Sequence, residues 1–279
     1  MRQRELTRTL SWTLLFATLL VFVTGLQLFV FADKTDRYFA WTIHPPLMAA
    51  FLGASYWGAC VMLGLAGRER FWVNARIAVP AILTFTPLML LATFIHLDRF
   101  HLGAGTTSGR VAGWGWLVLY VVVVAVVPAG LIVQRRVRGS DPQRTEALPQ
   151  RLRGLLALHA AVAAPLGIAL YVAPRWANAA WFWPLTPLTA QALGAWLLTI
   201  AVLALNAAIE NDRRRVRLAL IGYAVFGALQ IIALARYSGD VDWTDARTWI
   251  YAGLLASAIT GPSVLLGHRE RLPAAAPTP

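Results

Sequence analysis

The chain has 279 residues, 58% of them hydrophobic and only 14% charged, where an ordinary soluble domain carries roughly a quarter charged. Mean hydropathy is +0.59, and a water-soluble fold of this length cannot hide so much apolar side chain, which excludes soluble enzymes and nucleic-acid partners. The net charge of +12 sits in short arginine bursts between apolar runs, so it reports topology rather than a polyanion site.

Eight apolar runs of about 20 residues are long enough to cross a bilayer, and with no water in the hydrocarbon each must be helical. In chain order they are Leu10–Phe31, Leu47–Ala66, Arg76–His96, Ala112–Val133, Leu152–Val172, Leu188–Ile209, Val216–Ala235 and Thr248–Gly267. Met1–Arg8 resembles the basic start of a signal peptide. The apolar stretch behind it exceeds the roughly 7–15 residues of a signal core, so the first run reads as a retained span. Cys60 is the single cysteine, which leaves no intrachain disulfide and no CxxC zinc cluster.

With eight spans, both termini and the loops after spans two, four and six share one side. That side holds eighteen of the 25 basic residues. The other seven, Lys34, Arg37, Arg99, Arg110, Arg175, Arg236 and Arg247, lie opposite. The positive-inside rule then places both termini in the cytoplasm of a bacterial plasma membrane. Topology anchoring is the plain use of these bursts, with lipid head-group binding by Arg213, Arg214 and Arg215 as the alternative. Eight of the twelve tryptophans fall on the outer side (Trp41, Trp114, Trp116, Trp176, Trp181, Trp183, Trp243 and Trp249), the pattern of an aromatic belt.

The two halves match at an offset of 141–142 residues. Trp41-x-Ile43-x-Pro45 answers Trp183-x-Leu185-x-Pro187, and Leu47-x-Ala49-x-x-Leu52-Gly53-Ala54 answers Leu188-x-Ala190-x-x-Leu193-Gly194-Ala195. Upstream, Gly25-x-x-Leu28-Phe29 parallels Gly167-x-x-Leu170-Tyr171. Four helices per unit is an even number, so the copies insert in the same orientation. The expected fold is therefore all-α: a polytopic membrane protein with two tandem parallel four-helix repeats. Residues 1–134 form the first unit, 135–151 a basic linker, 152–271 the second unit and 272–279 a disordered tail rich in Ala and Pro. Small residues at every fourth position, Ala50-Ala54-Gly58 in span two and Gly253-Ser257-Gly261 in span eight, read as close-packing faces.

With its Gly-bearing first helix, a proline soon after, and a Leu-Gly-Ala second helix, each half resembles the four-helix DoxX-like membrane units. The whole chain, with Trp183-Pro184-Leu185-Thr186-Pro187-Leu188-Thr189 and His96-Leu97-Asp98-Arg99-Phe100, is similar to eight-helix integral membrane proteins of actinobacterial type. The resemblance implies the fold and carries no defined active site.

Polar chemistry is concentrated at the outer face. His44 opens span two, and His96, Asp98, Arg99 and His101 close span three. Antiparallel neighbours would bring His44 beside His96. Imidazoles with a carboxylate can ligate a transition metal or a haem, which makes His44, His96 and His101 the candidate cofactor ligands and His96, Asp98 and His101 the candidate metal set. Five residues along a helix turn about 500°, so His96 and His101 converge only if the helix ends between them. The competing reading is a set of interfacial polar groups with Asp98 and Arg99 paired. Eight-helix haem proteins such as haem A synthase share the architecture, yet their paired histidines have no counterpart in the second half here. Trp41, Trp183, Arg99 and Arg236 mark a candidate ligand cleft at the outer mouth.

Within the spans, Gln27, Thr84, Thr86, Thr93, His159 and Gln230 are the polar residues noted. No Asp, Glu, Lys or Arg reaches a midplane, which weighs against ion-coupled transport. His159 reads as an interhelical hydrogen-bonding group. No P-loop, H-E-x-x-H or G-x-S-x-G occurs, and the Gly-rich Gly103–Gly109 stretch reads as an outer turn. The leading expectation is thus a non-catalytic membrane protein that binds a lipophilic or small ligand between its halves, or serves as the membrane subunit of a partner. The alternatives are a haem- or metal-dependent oxidoreductase at the outer histidines and a facilitated transporter.

Overall fold

In the computed structural model, which describes residues 2–103 and 105–267, the apolar runs are helices whose starts follow local capping chemistry. Thr7 caps α1 (Arg8–Phe29) by accepting the Leu10 N–H. Helix α2 (Pro46–Gly67) opens on proline, whose missing N–H belongs to the turn that has no helical acceptor. A single turn at Trp72–Ala75 leads into α3 (Ala78–Ile95), and Thr106 caps α4 (Thr107–Arg135). Helix α5 (Gln150–Val172) is followed by two short turns, Pro174–Ala177 and Asn178–Ala180. Thr186 and Thr189 form a reciprocal capping box at the start of α6 (Pro187–Glu210), which ends on left-handed Asn211. Asp212 caps α7 (Arg213–Arg236), and α8 (Ala246–Gly267) completes the set. Among the described residues there are no strands, only isolated bridges. Helices α1 to α7 are each long and apolar enough to cross a bilayer, the build of a polytopic helical membrane protein.

The fourth apolar run starts as a helix at Thr107, five residues before the hydropathy onset. The Thr106 hydroxyl accepts the Gly109 N–H and so draws part of the expected Gly-rich turn into α4. Arg269, Arg271 and the 272–279 tail lie outside the described residues.

Helices α2 and α6 hold the centre, with α1 packed along α2 and α5 along α6. Helices α3 and α7 then cross over: α7 lies on α2, and α3 lies on α6. On the flanks, α4 leans on α3 and α1, and α8 on α7 and α5. Backbone proximity sets the seams. A Cβ on Gly53 would sit 2.5 Å from the Phe29 nitrogen, and one on Gly194 would sit 2.8 Å from the Gly167 oxygen. Gly58 of α2 and Gly222 of α7 face each other's carbonyls in the same way. Small residues at such contacts are how helices associate where lipid removes the hydrophobic drive. Gly253 has nothing within 4 Å of its Cβ position, so the expected small face of α8 is used only at Ser257 and Gly261.

One end of the bundle collects the arginine-rich segments. Arg76 bonds Asp141 at 2.6 Å and Glu210 at 2.8 Å, while Glu210 also takes Arg215 at 2.6 Å. Arg215 reaches the Pro142 carbonyl as well. These charges are largely buried, so each is stable only because its partners are present. The other end carries the aromatic turns. Of the eight tryptophans expected there as a belt, Trp114, Trp176, Trp243 and Trp249 are exposed, whereas Trp41, Trp116, Trp181 and Trp183 are buried in the core. They pack in edge-on and tilted ring pairs such as Trp41–Trp116 and Trp181–Trp183.

Candidate ligand cavity

At the aromatic end, His96 and His101 bond different partners. The helix does end between His96 and His101, since α3 stops at Ile95 and a single 3-10 turn follows. Each ring nonetheless has its own partners. His101 donates from Nδ1 to the Phe39 carbonyl at 2.9 Å, leaving Nε2 to accept from the Thr42 hydroxyl at 3.1 Å. His96 Nε2 bonds the Gln191 side-chain oxygen at 3.0 Å, and Gln191 in turn donates to the Tyr171 carbonyl. His44 is exposed. Because α3 leans on α6 rather than on α2, His96 meets Gln191 of α6 and not His44. Asp98 pairs with its neighbour Arg99 at 3.0 Å, both largely in solvent. Among the described residues no three His, Cys, Asp or Glu side chains gather as a metal set.

Of the four residues expected to line an outer cleft, Arg99 is exposed beside Asp98 and the other three are engaged with the bundle. Trp41 and Trp183 are 2% and 3% exposed, and the Trp183 indole N–H donates to the Met48 sulfur. Arg236 donates to the Phe29 and Val30 carbonyls, placing a cation at the C-terminus of α1, where the helix dipole favours it. None of the four borders the large cavity described next.

Nearer the arginine-rich end, α1, α2, α3, α4, α6 and α7 enclose a cavity of about 370 Å³. It exists because α4 touches the bundle mainly through α3 and only lightly along α1. Trp12 and Phe16 of α1 and Val122 and Val126 of α4 border this space and are also exposed on the outer surface of the bundle. The cavity therefore opens sideways, between α1 and α4, toward the surface where lipid tails would lie. Its inner wall is aromatic: Tyr56, Phe85, Tyr120, Trp196, Tyr223 and Phe226. Phe85 lies 4.1 Å from the Trp196 ring, which meets Tyr56 edge-on at 5.1 Å.

Polar groups on the lining are few and mostly turned inward on their own helices. Ser55, Thr86 and Thr199 donate to the carbonyls of Phe51, Ile82 and Ala195, as hydroxyls in apolar helices do. The exception is the pair Tyr56 and Tyr120, whose hydroxyls bond each other at 2.6 Å across α2 and α4. Tyr223 bonds His159 Nδ1 at 2.8 Å, and His159 Nε2 bonds Ser257, so the histidine ties α5, α7 and α8 together. Thr84, Thr93 and Gln230 likewise bond helix carbonyls.

Sequence reasoning passed over Tyr56, Tyr120 and Trp196 because they count as aromatic in a hydropathy scan. The available signal was a tyrosine hydroxyl near the middle of an apolar run, which must find a partner. No family model, curated protein or solved structure matches the chain.

Proposed function

We propose that this protein is a multi-pass membrane protein that takes a lipophilic molecule from the bilayer into the cavity between α1 and α4, without bond-making chemistry of its own. The observation that carries this reading is the sideways opening of a largely apolar space at exposed Trp12, Phe16, Val122 and Val126. A space of about 370 Å³ left empty would forgo dispersion contacts along its lining. Apolar holes also stay dry, so an apolar occupant is the natural filler. The hydroxyl–imidazole contact at the lining, Tyr223 with His159, is engaged in tying α5, α7 and α8 together, and Tyr56 and Tyr120 bond each other, an arrangement that favours binding over catalysis.

The same reading takes the chain as two tandem four-helix units spanning the plasma membrane eight times, both termini cytoplasmic and α8 the last span. Its support lies in paired details. The turns at Leu97–Arg99 and Ser238–Asp240 follow residues of matching backbone, His96 (φ −121°, ψ 32°) and Tyr237 (φ −116°, ψ 39°). The Ile43 N–H is held by the Thr35 hydroxyl and the corresponding Leu185 N–H by the Asn178 side chain. Asn74 bonds Glu69 at one place and Arg215 bonds Glu210 at the equivalent one.

The test is direct. The protein purified in lipid nanodiscs, with the host's lipids, is extracted and its bound molecules are identified by mass spectrometry. A stoichiometric lipophile is expected, reduced severalfold in Ala59→Phe, which fills the cavity from α2. Equal recovery from both proteins would overturn the assignment.

A further inference from the structure

The interior wall of the cavity carries hydrogen-bond donors that the protein itself leaves unused. Two tyrosine hydroxyls 2.6 Å apart hold two protons but share one hydrogen bond: one oxygen donates and the other accepts. Among the described residues neither hydroxyl has a second partner, so the accepting tyrosine keeps a proton with nowhere to go. Both residues are buried (3% and 5% exposed), and both line the cavity. The Trp196 indole N–H, on a ring packed against Tyr56, also lacks an acceptor. Unused donors in an apolar space are costly, and an occupant that accepts from them recovers the loss. A plain hydrocarbon offers nothing to them. Water is disfavoured by the apolar lining; the serine and threonine hydroxyls there bond their own helix carbonyls, and the Tyr223 hydroxyl bonds His159.

Resting on the reading of the cavity as a lipophile site, we infer that its ligand carries a carbonyl oxygen that accepts from the Tyr56–Tyr120 pair, with the apolar remainder running out between α1 and α4. Two bilayer sources supply that chemistry, the ester carbonyl of an acyl lipid and the keto oxygen of a prenylated quinone. Both would enter by the Trp12–Phe16 and Val122–Val126 mouth, carbonyl end first. The aromatic rings at the inner end, Phe85 and Trp196 with centroids 4.1 Å apart, supply flat surface for either group.

The experiment measures binding of three probes to the intact protein in nanodiscs: decyl-benzoquinone, methyl palmitate, and heptadecane as the hydrocarbon without an acceptor. At least one oxygenated probe is expected to bind about fivefold or more tighter than heptadecane, the weight of one neutral hydrogen bond in a buried setting. The better of the two identifies the source. In the double variant Tyr56→Phe and Tyr120→Phe the preference for oxygen disappears while heptadecane binding stays. Either single Phe variant leaves one hydroxyl and retains part of the preference. If all three probes bind alike in the native protein, or the double variant keeps its preference, the inference fails while the lipophile site stands. If none binds, and Ala59→Phe changes nothing, the site itself is refuted.

Discussion

At the scale of single residues, Asp212 shows how one carboxylate can organise a helix end. Its two oxygens accept the backbone N–H groups of Thr145 and Arg215, at 2.8 and 3.1 Å. Burial by itself would raise the carboxyl, but those donors and the Arg215 charge outweigh it and hold Asp212 below the ordinary carboxylate range. A group lowered on folding stabilises above its unfolded value, near 4, and loses that contribution as pH falls through the lower folded value. Asp212→Asn keeps a capping oxygen but not the charge. Its thermal midpoint is therefore expected to lie below that of the native protein at pH 7, with the gap closing as the pH drops toward about 3. A gap independent of pH in differential scanning fluorimetry would contradict this account. The arginines around Asp212 were legible as a basic burst, because hydropathy separates them from the spans. Its role as a cap for the linker was not, because Thr145 is sixty-seven residues away in the chain. The tyrosine pair was hidden for the same reason: nothing local says that α2 and α4 bring Tyr56 and Tyr120 together.

At the scale of elements, local sequence is informative about where helices lie and less so about which face each uses. Length and apolar content placed all the long helices, since a bilayer-length run has few alternatives. Their edges moved by a few residues where a hydroxyl cap or a proline outbid hydropathy, as Thr106 does at α4. The small-residue faces divided. At Gly58 a Cβ would lie 2.8 Å from the Phe226 Cβ and 2.9 Å from the Gly222 oxygen, whereas Gly253 has open space. Gly58→Leu is expected to lower stability by about 1–3 kcal/mol through forced separation of α2 and α7. Gly253→Leu should leave it nearly unchanged. Thermal midpoints of the two variants, read by loss of the monodisperse peak on size exclusion, decide the matter, and equal effects would mean that the α2–α7 seam is not close-packed.

At the scale of the molecule, the arginine asymmetry and the clustering of Arg76, Asp141, Glu210 and Arg215 at one end agree on a single basic face. Reporter fusions at the two termini and within the linker near Gln143 are expected to read the same compartment, and one inserted at Gly103 the opposite one. Discordant termini would refute the eight-span topology. The order of the long helices was legible from the chain, but the partners of α3 and α7 were not. Neighbouring antiparallel helices are the default expectation, and that default put His44 beside His96. The crossover sends α3 to α6, and His96 there bonds Gln191.

That crossover also bears on how the protein must be made. When α3 leaves the ribosome, the groove that will receive it does not yet exist, because α6 has still to be synthesised; α2 likewise waits for α7. Closure of those two seams is thus deferred to late in translation: α1 and α2 can pair as soon as both are made, while α3 has to wait for its distant mate.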